Sequence, residues 1–201
     1  MAEAVVMSMS GTSTLIGRSP PTGVGKSPLA PGIAPRLDRA GYRRGMTRLE
    51  PMTQARYDAW LAATVREYAA EKIAAGNYPD DGSGLERSRA EFDRLLPQGR
   101  ETPGHEIRSM VDGDGQDVGY VWFTIEARDP GRVVFIYDIA VDPAFRRRGH
   151  AQDALAAVED YARKHDCVGV MLHVFGNNTG ARTLYLKAGY DETNVIMLKR
   201  V

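Results

Sequence analysis

The first residues in this chain whose types and spacing could do chemistry are three arginines running into a turn of small residues. Arg146, Arg147 and Arg148 precede Gly149, and Ala151 follows, giving the spacing R-x-x-G-x-A. A helix opening at such a turn has backbone N–H groups without partners, and its dipole adds partial positive charge there. Gly149 has no Cβ, so an anionic oxygen can approach the backbone closely. Ala151 keeps the next approach open, and the arginines supply charge beside it. The chemistry this implies is the holding of phosphate, with Arg146 to Ala151, His150 included, as the cradle. A solvated turn with surface arginines is the competing account of so short a motif.

The neighbouring elements are those a cradle needs. Val133 to Val141 reads VVFIYDIAV, the β-branched and aromatic run of a buried strand. Asp142 and Pro143 stop it, because proline donates no ladder hydrogen bond and restrains the residue before it. Past Gly149, apolar residues at Ala151, Ala154, Leu155, Val158 and Ala162 keep the 3.6-residue spacing of a helix.

A second block lies about thirty residues downstream, past that helix and another strand. Asn178, Ala181, Leu184, Tyr185, Gly189 and Tyr190 are spaced N-x-x-A-x-x-L-Y-x-x-x-G-Y. With both blocks in this order, the chain from Met46 to Val201 resembles the GNAT superfamily of N-acetyltransferases. Arg146, Gly149 and Ala151 match that family's R/Q-x-x-G-x-G/A. The second block is similar to its other signature, which usually ends G-F. FIYD and LHVF around the motifs are similar to those of small bacterial members of the YycN type.

The resemblance implies an α+β fold: a mixed, mostly antiparallel sheet of six to seven strands with helices on both faces. It implies direct transfer of an acetyl group from acetyl-CoA, as cosubstrate and without a metal, to the amine of a small molecule or peptide. The acceptor itself is not legible. Backbone groups of Ile139 and Val141 would pair with the pantetheine arm and polarise the thioester. Asn178 would contact the cofactor arm; capping the next helix is a rival role. Tyr185 would protonate the departing thiolate, since a phenol with a pKa of about 10 stays protonated at neutral pH. The other account of Tyr185 is a buried tyrosine with a satisfied hydroxyl.

No base is assigned. Family members often place Glu or His on the central strand, an even number of residues before the valine matching Val141. Here those positions are Ile139, Tyr137, Phe135 and Val133. Strand alternation puts Asp138 on the opposite face, where a structural hydrogen bond is expected. Glu126, Glu106, and His173 through a water stay open. A chain without a base would suit a non-catalytic CoA-binding sensor or partner-binding module, the alternative reading.

Composition sets the outer bounds. Lys+Arg and Asp+Glu balance at 26 each, so no global field favours nucleic acid or an anionic membrane surface. A nucleic-acid protein using Arg146 to Arg148 also lacks interleaved exposed aromatics. The single cysteine, Cys167, rules out an intramolecular disulfide and fits a reducing compartment. With no apolar run long enough to span a membrane, a cytoplasmic protein is expected, and a homodimer is compatible with it. Residues 1–45 are rich in Ser, Thr, Gly and Pro without periodicity and are expected to be a disordered extension. GVGKS at Gly23 to Ser27 is not a P-loop, because Pro20 stands where its first glycine belongs.

From Met46 the expected order is β-α-α-β-β-β-α-β-α-β, one domain over 46–201. Thr53 is placed to cap a helix running to about Ala75, with Tyr57, Trp60, Leu61, Thr64 and Tyr68 on one face. A second helix, about Gly84 to Leu96, presents Leu85, Phe92, Leu95 and Leu96. Strands follow at Glu106 to Val111, Val118 to Ala127, Val133 to Val141 and Cys167 to Phe175. A short helix spans Thr179 to Lys187, and Val195 to Lys199 is expected to close the sheet.

Overall fold

A computed structural model describes residues 47–195, 197 and 199, apart from 75, 175 and 177; the expected disordered extension, 1–45, lies outside the described residues. β1 (Arg48–Pro51), β2 (His105–Val111), β3 (Asp117–Ala127), β4 (Arg132–Val141) and β5 (Gly169–Leu172) form one sheet in chain order. Neighbours from β1 to β4 are antiparallel, while β5 runs parallel to β4. Two helices, α1 (Gln54–Ala74) and α2 (Gly84–Leu95), cover one face; α3 (His150–Lys164) and α4 (Thr179–Lys187) cover the other.

Local signals account for the boundaries. The Thr53 hydroxyl accepts from the Arg56 N–H at 3.3 Å, which caps α1. The buried stripe of α1 is Tyr57, Trp60, Thr64 and Tyr68, and it packs into an aromatic cluster with Phe92 of α2 and Trp122 of β3. Trp60 meets Trp122 edge-on at 5.5 Å and Phe92 at 6.5 Å. Burying a ring such as Phe92 contributes roughly 1.5–3 kcal/mol. Helix α2 departs from expectation in phase. Gly84, Ser88 and Phe92 face inward, Ser88 donating to the Val65 carbonyl at 2.7 Å, and Leu85 is left 52% exposed. On the far face, Ala154, Leu155, Val158 and Ala162 of α3 pack against Val121, Phe123, Val134 and Ile136.

Among the described residues the sheet has five strands, not six to seven. β5 pairs with β4 over only four residues. The expected closing strand is absent at Val195, Met197 and Lys199; its positions 196 and 198 lie outside the described residues. Val195 and Met197 are 72% and 90% exposed, so their alternation finds no apolar surface to cover. Arg182 on α4 pairs with Glu192, just past the end of that helix. Among the described residues, no helix is long and apolar enough to cross a membrane.

At the other end, Thr47 clasps the start of α3. Its hydroxyl lies 2.9 Å from His150 Nδ1, and its N–H donates to Asp153 Oδ2 at 3.0 Å. We place the start of the folding unit just before it. A chain beginning at Met46 should melt with the full-length protein. Thr47→Ala should cost about 1–3 kcal/mol in urea unfolding, because it strands a buried ring nitrogen. An unchanged midpoint would show the clasp to be idle.

Candidate active site

The site is organised by one extra residue in β4. Opposite β3, the register runs from Gly119↔Val141 to Trp122↔Asp138 and then resumes at Phe123↔Ile136, so Tyr137 is a β-bulge. The bulge resets the alternation. Val134, Ile136 and Ile139 enter the α3 core, and Val141 packs against it, whereas Tyr137 stacks on Trp122 at 4.7 Å on the α1 face. Asp138 lies on the α1 face as well, against Trp60 and Tyr120. The expected alternation is therefore wrong at this point: Ile139 and Tyr137 are on opposite faces, and Asp138 is on the side of Tyr137.

The bulge also marks where β4 and β5 part. Their pairing ends at Ile136↔Leu172, one residue before Tyr137. The Asp142 N–H donates to the Val118 carbonyl at 2.9 Å, so Asp142 and, by alternation, Ala140 direct their backbone groups at β3. Those of Ile139 and Val141 then face the gap. The Val141 carbonyl is taken by Arg146 Nε at 3.0 Å.

Below the gap, the arginine loop curls through two left-handed residues, Arg147 at φ +63° and Gly149 at φ +92°. Gly149 stands at the amino end of α3. A Cβ built there would meet nothing nearer than Gln152 Oε1 at 3.9 Å, so the space over the glycine is open. Arg147 and Arg148 are exposed, with Arg148 donating to the Ala144 carbonyl at 3.1 Å. Ala151 is half-buried in the first turn of α3. An open glycine, a helix terminus and exposed guanidinium groups fit the pyrophosphate of acetyl-CoA. His150 does not join them: its ring is buried against Thr47. The Asn178 side chain caps α4, accepting from the Ala181 N–H at 3.0 Å, which is the rival role foreseen for it.

Asp138 is 3% exposed, and its Oδ1 has no hydrogen-bond partner among the described residues. Burial pushes its carboxyl from 3.8 up to about 7, with Glu67 and Glu71 adding repulsion, while the polar groups of Tyr120 and Trp60 pull it down. Such a group can take or release a proton near neutrality. Tyr185, on α4, is buried too, and its hydroxyl has no partner among the described residues. Burial, then the charge of Asp138, raises its pKa far above the usual phenol value. Asp138 faces α1 and Tyr185 belongs to the core on the other side of the sheet, with the charge of the first reaching the second.

An open cleft of about 230 Å³ lies between α1 and the end of β4, with Trp60, Glu67, Tyr120, Val141 and Arg146 in its walls. The other bases left open are engaged or distant. Glu126 pairs with Arg128 and accepts from the Tyr137 hydroxyl at 3.1 Å; Glu106 pairs with Arg108 and looks toward Tyr161 of α3. His173 is half-buried, with its pKa lowered by burial and by Lys72. No cluster of three or more His, Cys, Asp or Glu among the described residues is arranged to hold a metal. Asp138 is reserved by the sequence for a structural hydrogen bond, whereas Glu67 and Glu71 are not foreseen at all. A signal for the latter two was present: Trp60, Thr64, Glu67 and Glu71 share one helical face, so carboxylates continue a buried stripe.

Residues 66–190 match the model of the Acetyltransferase (GNAT) family. The chain is 38% identical over 154 residues to a Bacillus subtilis protein described as "Uncharacterized N-acetyltransferase YycN", covering 76% of this chain and 97% of that protein. It is 31% identical to the Bacillus subtilis "Uncharacterized N-acetyltransferase YdgE", again over 76% of this chain and 97% of the relative. The crystal structure of the putative acetyltransferase YycN from Bacillus subtilis superposes with a TM-score of 0.70 at 35% identity, covering 77% of this chain and 98% of that one.

Proposed function

The chain belongs to the GNAT acetyltransferase family, and from that premise we propose that it transfers the acetyl group of acetyl-CoA to an acceptor amine by direct attack. The observation that carries the reading is the Asp138 carboxyl, buried against Trp60 and Tyr120 with its Oδ1 left without a hydrogen-bond partner among the described residues; the Tyr185 hydroxyl is buried and likewise without one. Acetyl-CoA supplies the acetyl group as a thioester, activated toward nitrogen. Arg147, Arg148 and the amino end of α3 at Gly149 and Ala151 hold its pyrophosphate. The N–H groups of Ile139 and Val141 bind the arm and polarise the thioester carbonyl.

A lysine-like amine is neutral only about once in a few thousand molecules at pH 7, so its proton must be removed. Asp138 takes it. The amine nitrogen bonds to the carbonyl carbon, the carbon–sulfur bond breaks, and Tyr185 gives its proton to the sulfur. The second proton shed by the nitrogen as it becomes an amide restores the Tyr185 hydroxyl through solvent, and Asp138 releases its own to solvent. The alternative, a binding module without catalysis, rests on the lack of a base, and the buried Asp138 carboxyl supports the catalytic reading instead.

The direct test is release of CoA thiol from acetyl-CoA across a panel of amines. In that assay Tyr185→Phe should lower kcat by about 10–100-fold, toward the low end of general-acid effects because a thiol is a tolerable leaving group unprotonated. Its stability should hold or rise, since the lost hydroxyl is buried without a partner. Wild-type turnover in this variant would leave Tyr185 as packing only.

A further inference from the structure

The acceptor end of the cleft carries more negative charge than taking one proton requires. Glu67 lines the cleft with Trp60 and Tyr120, and Glu71 sits one turn further along the same face of α1. Neither belongs to an ion pair or hydrogen bond among the described residues. Beneath them Asp138 is buried against the polar ends of Trp60 and Tyr120, with its Oδ1 left without a hydrogen-bond partner among the described residues. Trp60 and Tyr120, against which Asp138 is buried, line the cleft together with Glu67, and the charge of Glu67 reaches Glu71, Asp138 and the Tyr120 hydroxyl.

The nearby cations are turned elsewhere. Arg56 bridges Asp142 at 3.0 Å and Asp117 at 3.4 Å, and Arg146 is fixed on the Val141 carbonyl. Lys72 lies over the rings of Tyr68 and Tyr78, at 5.0 and 5.9 Å from their centres. The two arginines that line the cleft, Arg56 and Arg146, stand with Asp142 at its cradle end, and Glu67 lines it further along α1. Burial, and after it the charge of Glu67 one turn away, pushes Glu71 up to about 7. A cation between them would relieve both.

We propose that the acceptor is an aliphatic dication, a diamine or polyamine, whose reacting nitrogen meets Asp138 while its second ammonium sits between Glu67 and Glu71. This deepens the transferase reading and rests on it for the placement of the reacting nitrogen. Three groups at two depths explain why one charge would not suffice: Asp138 removes a proton from one nitrogen, and the α1 pair keeps the other charged. Aromatic walls at Trp60 and Tyr120 suit an ammonium with an aliphatic stem. An acceptor with a carboxylate next to its amine would meet repulsion.

The test compares cadaverine, n-pentylamine and δ-aminovalerate, which share one chain length and differ in the far group. Each is measured on the full chain by CoA-thiol release, and by calorimetric binding with CoA present. Cadaverine should exceed n-pentylamine in kcat/KM by about tenfold or more, with δ-aminovalerate the weakest. Glu67→Gln and Glu71→Gln should each shrink that preference, and the double variant should bring it near unity, chiefly through the KM for cadaverine. Equal use of cadaverine and n-pentylamine, or a preference for δ-aminovalerate, would overturn the dication subsite while leaving the transfer reading intact. Carboxylate-dependent binding of cadaverine without thiol release from any amine would uphold the subsite and sink the transfer reading. Neither binding nor turnover of cadaverine would overturn the proposal.

Discussion

Asp138→Asn should slow transfer by about 10²–10⁴-fold while making the protein more stable above neutral pH. The two effects have one origin. Folding moves the Asp138 carboxyl from 3.8 to about 7. Between those values the folded state holds a proton that the unfolded state has released, so stability falls as pH climbs through the window. Above pH 7 the full cost is on the order of 4 kcal/mol, at about 1.4 kcal/mol per unit. Asparagine carries no charge to bury. The variant should match the wild type near pH 4 and exceed it progressively toward pH 8, read by urea unfolding across that range. Its kcat/KM should also lose the limb that rises through about pH 7 in the wild type. A variant that keeps that limb and its rate would put the base elsewhere, and a less stable variant at pH 8 would make Asp138 a structural partner.

Gly149→Glu should abolish acetyl-CoA binding. The glycine is left-handed at φ +92° and open above, so a side chain there fills the cradle and brings a negative charge to the place of a phosphate. A ligand at 100 times its dissociation constant adds about 2.7 kcal/mol to the unfolding free energy. That gain should vanish in the variant. The strained backbone alone should cost about 1–2 kcal/mol, so the ligand-dependent shift, not the melting temperature itself, is the readout. Gly149→Asn tolerates the left-handed conformation and adds no charge, and should lose only part of the shift. Full retention in Gly149→Glu would locate the phosphate site away from α3.

What the sequence reveals and conceals here follows from how each feature is encoded. The phosphate cradle is local, a turn and a helix start within Arg146 to Ala151, so spacing alone exposes it. The helices α1, α3 and α4 follow apolar periodicity and caps at Thr53 and Asn178. The proton acceptor is not local in this sense. Whether Asp138 faces α1 depends on a bulge at Tyr137, and neither glycine nor proline marks that position. Alternation counted through it therefore misplaces one side of the strand relative to the other. The expected closing strand is not local either: Val195 to Lys199 has the right residue types, but a strand needs a partner to pair with, and the described positions of this stretch find none.

Tyr137 is one residue more than the opposing ladder can match, and its deletion would leave a regular strand with Asp138 still toward α1. The side chains would survive the change, but the cleft would not. With no misfit to bend it away, β4 would be free to zip onto β5 beyond Ile136, and the backbone groups of Ile139 and Val141 would find partners within the protein. Better pairing would thus mean a closed sheet. The quantity a mutation must preserve here is the count of residues between Ile136 and Asp138, which makes this stretch tolerant of substitution at Tyr137 and intolerant of any change in length.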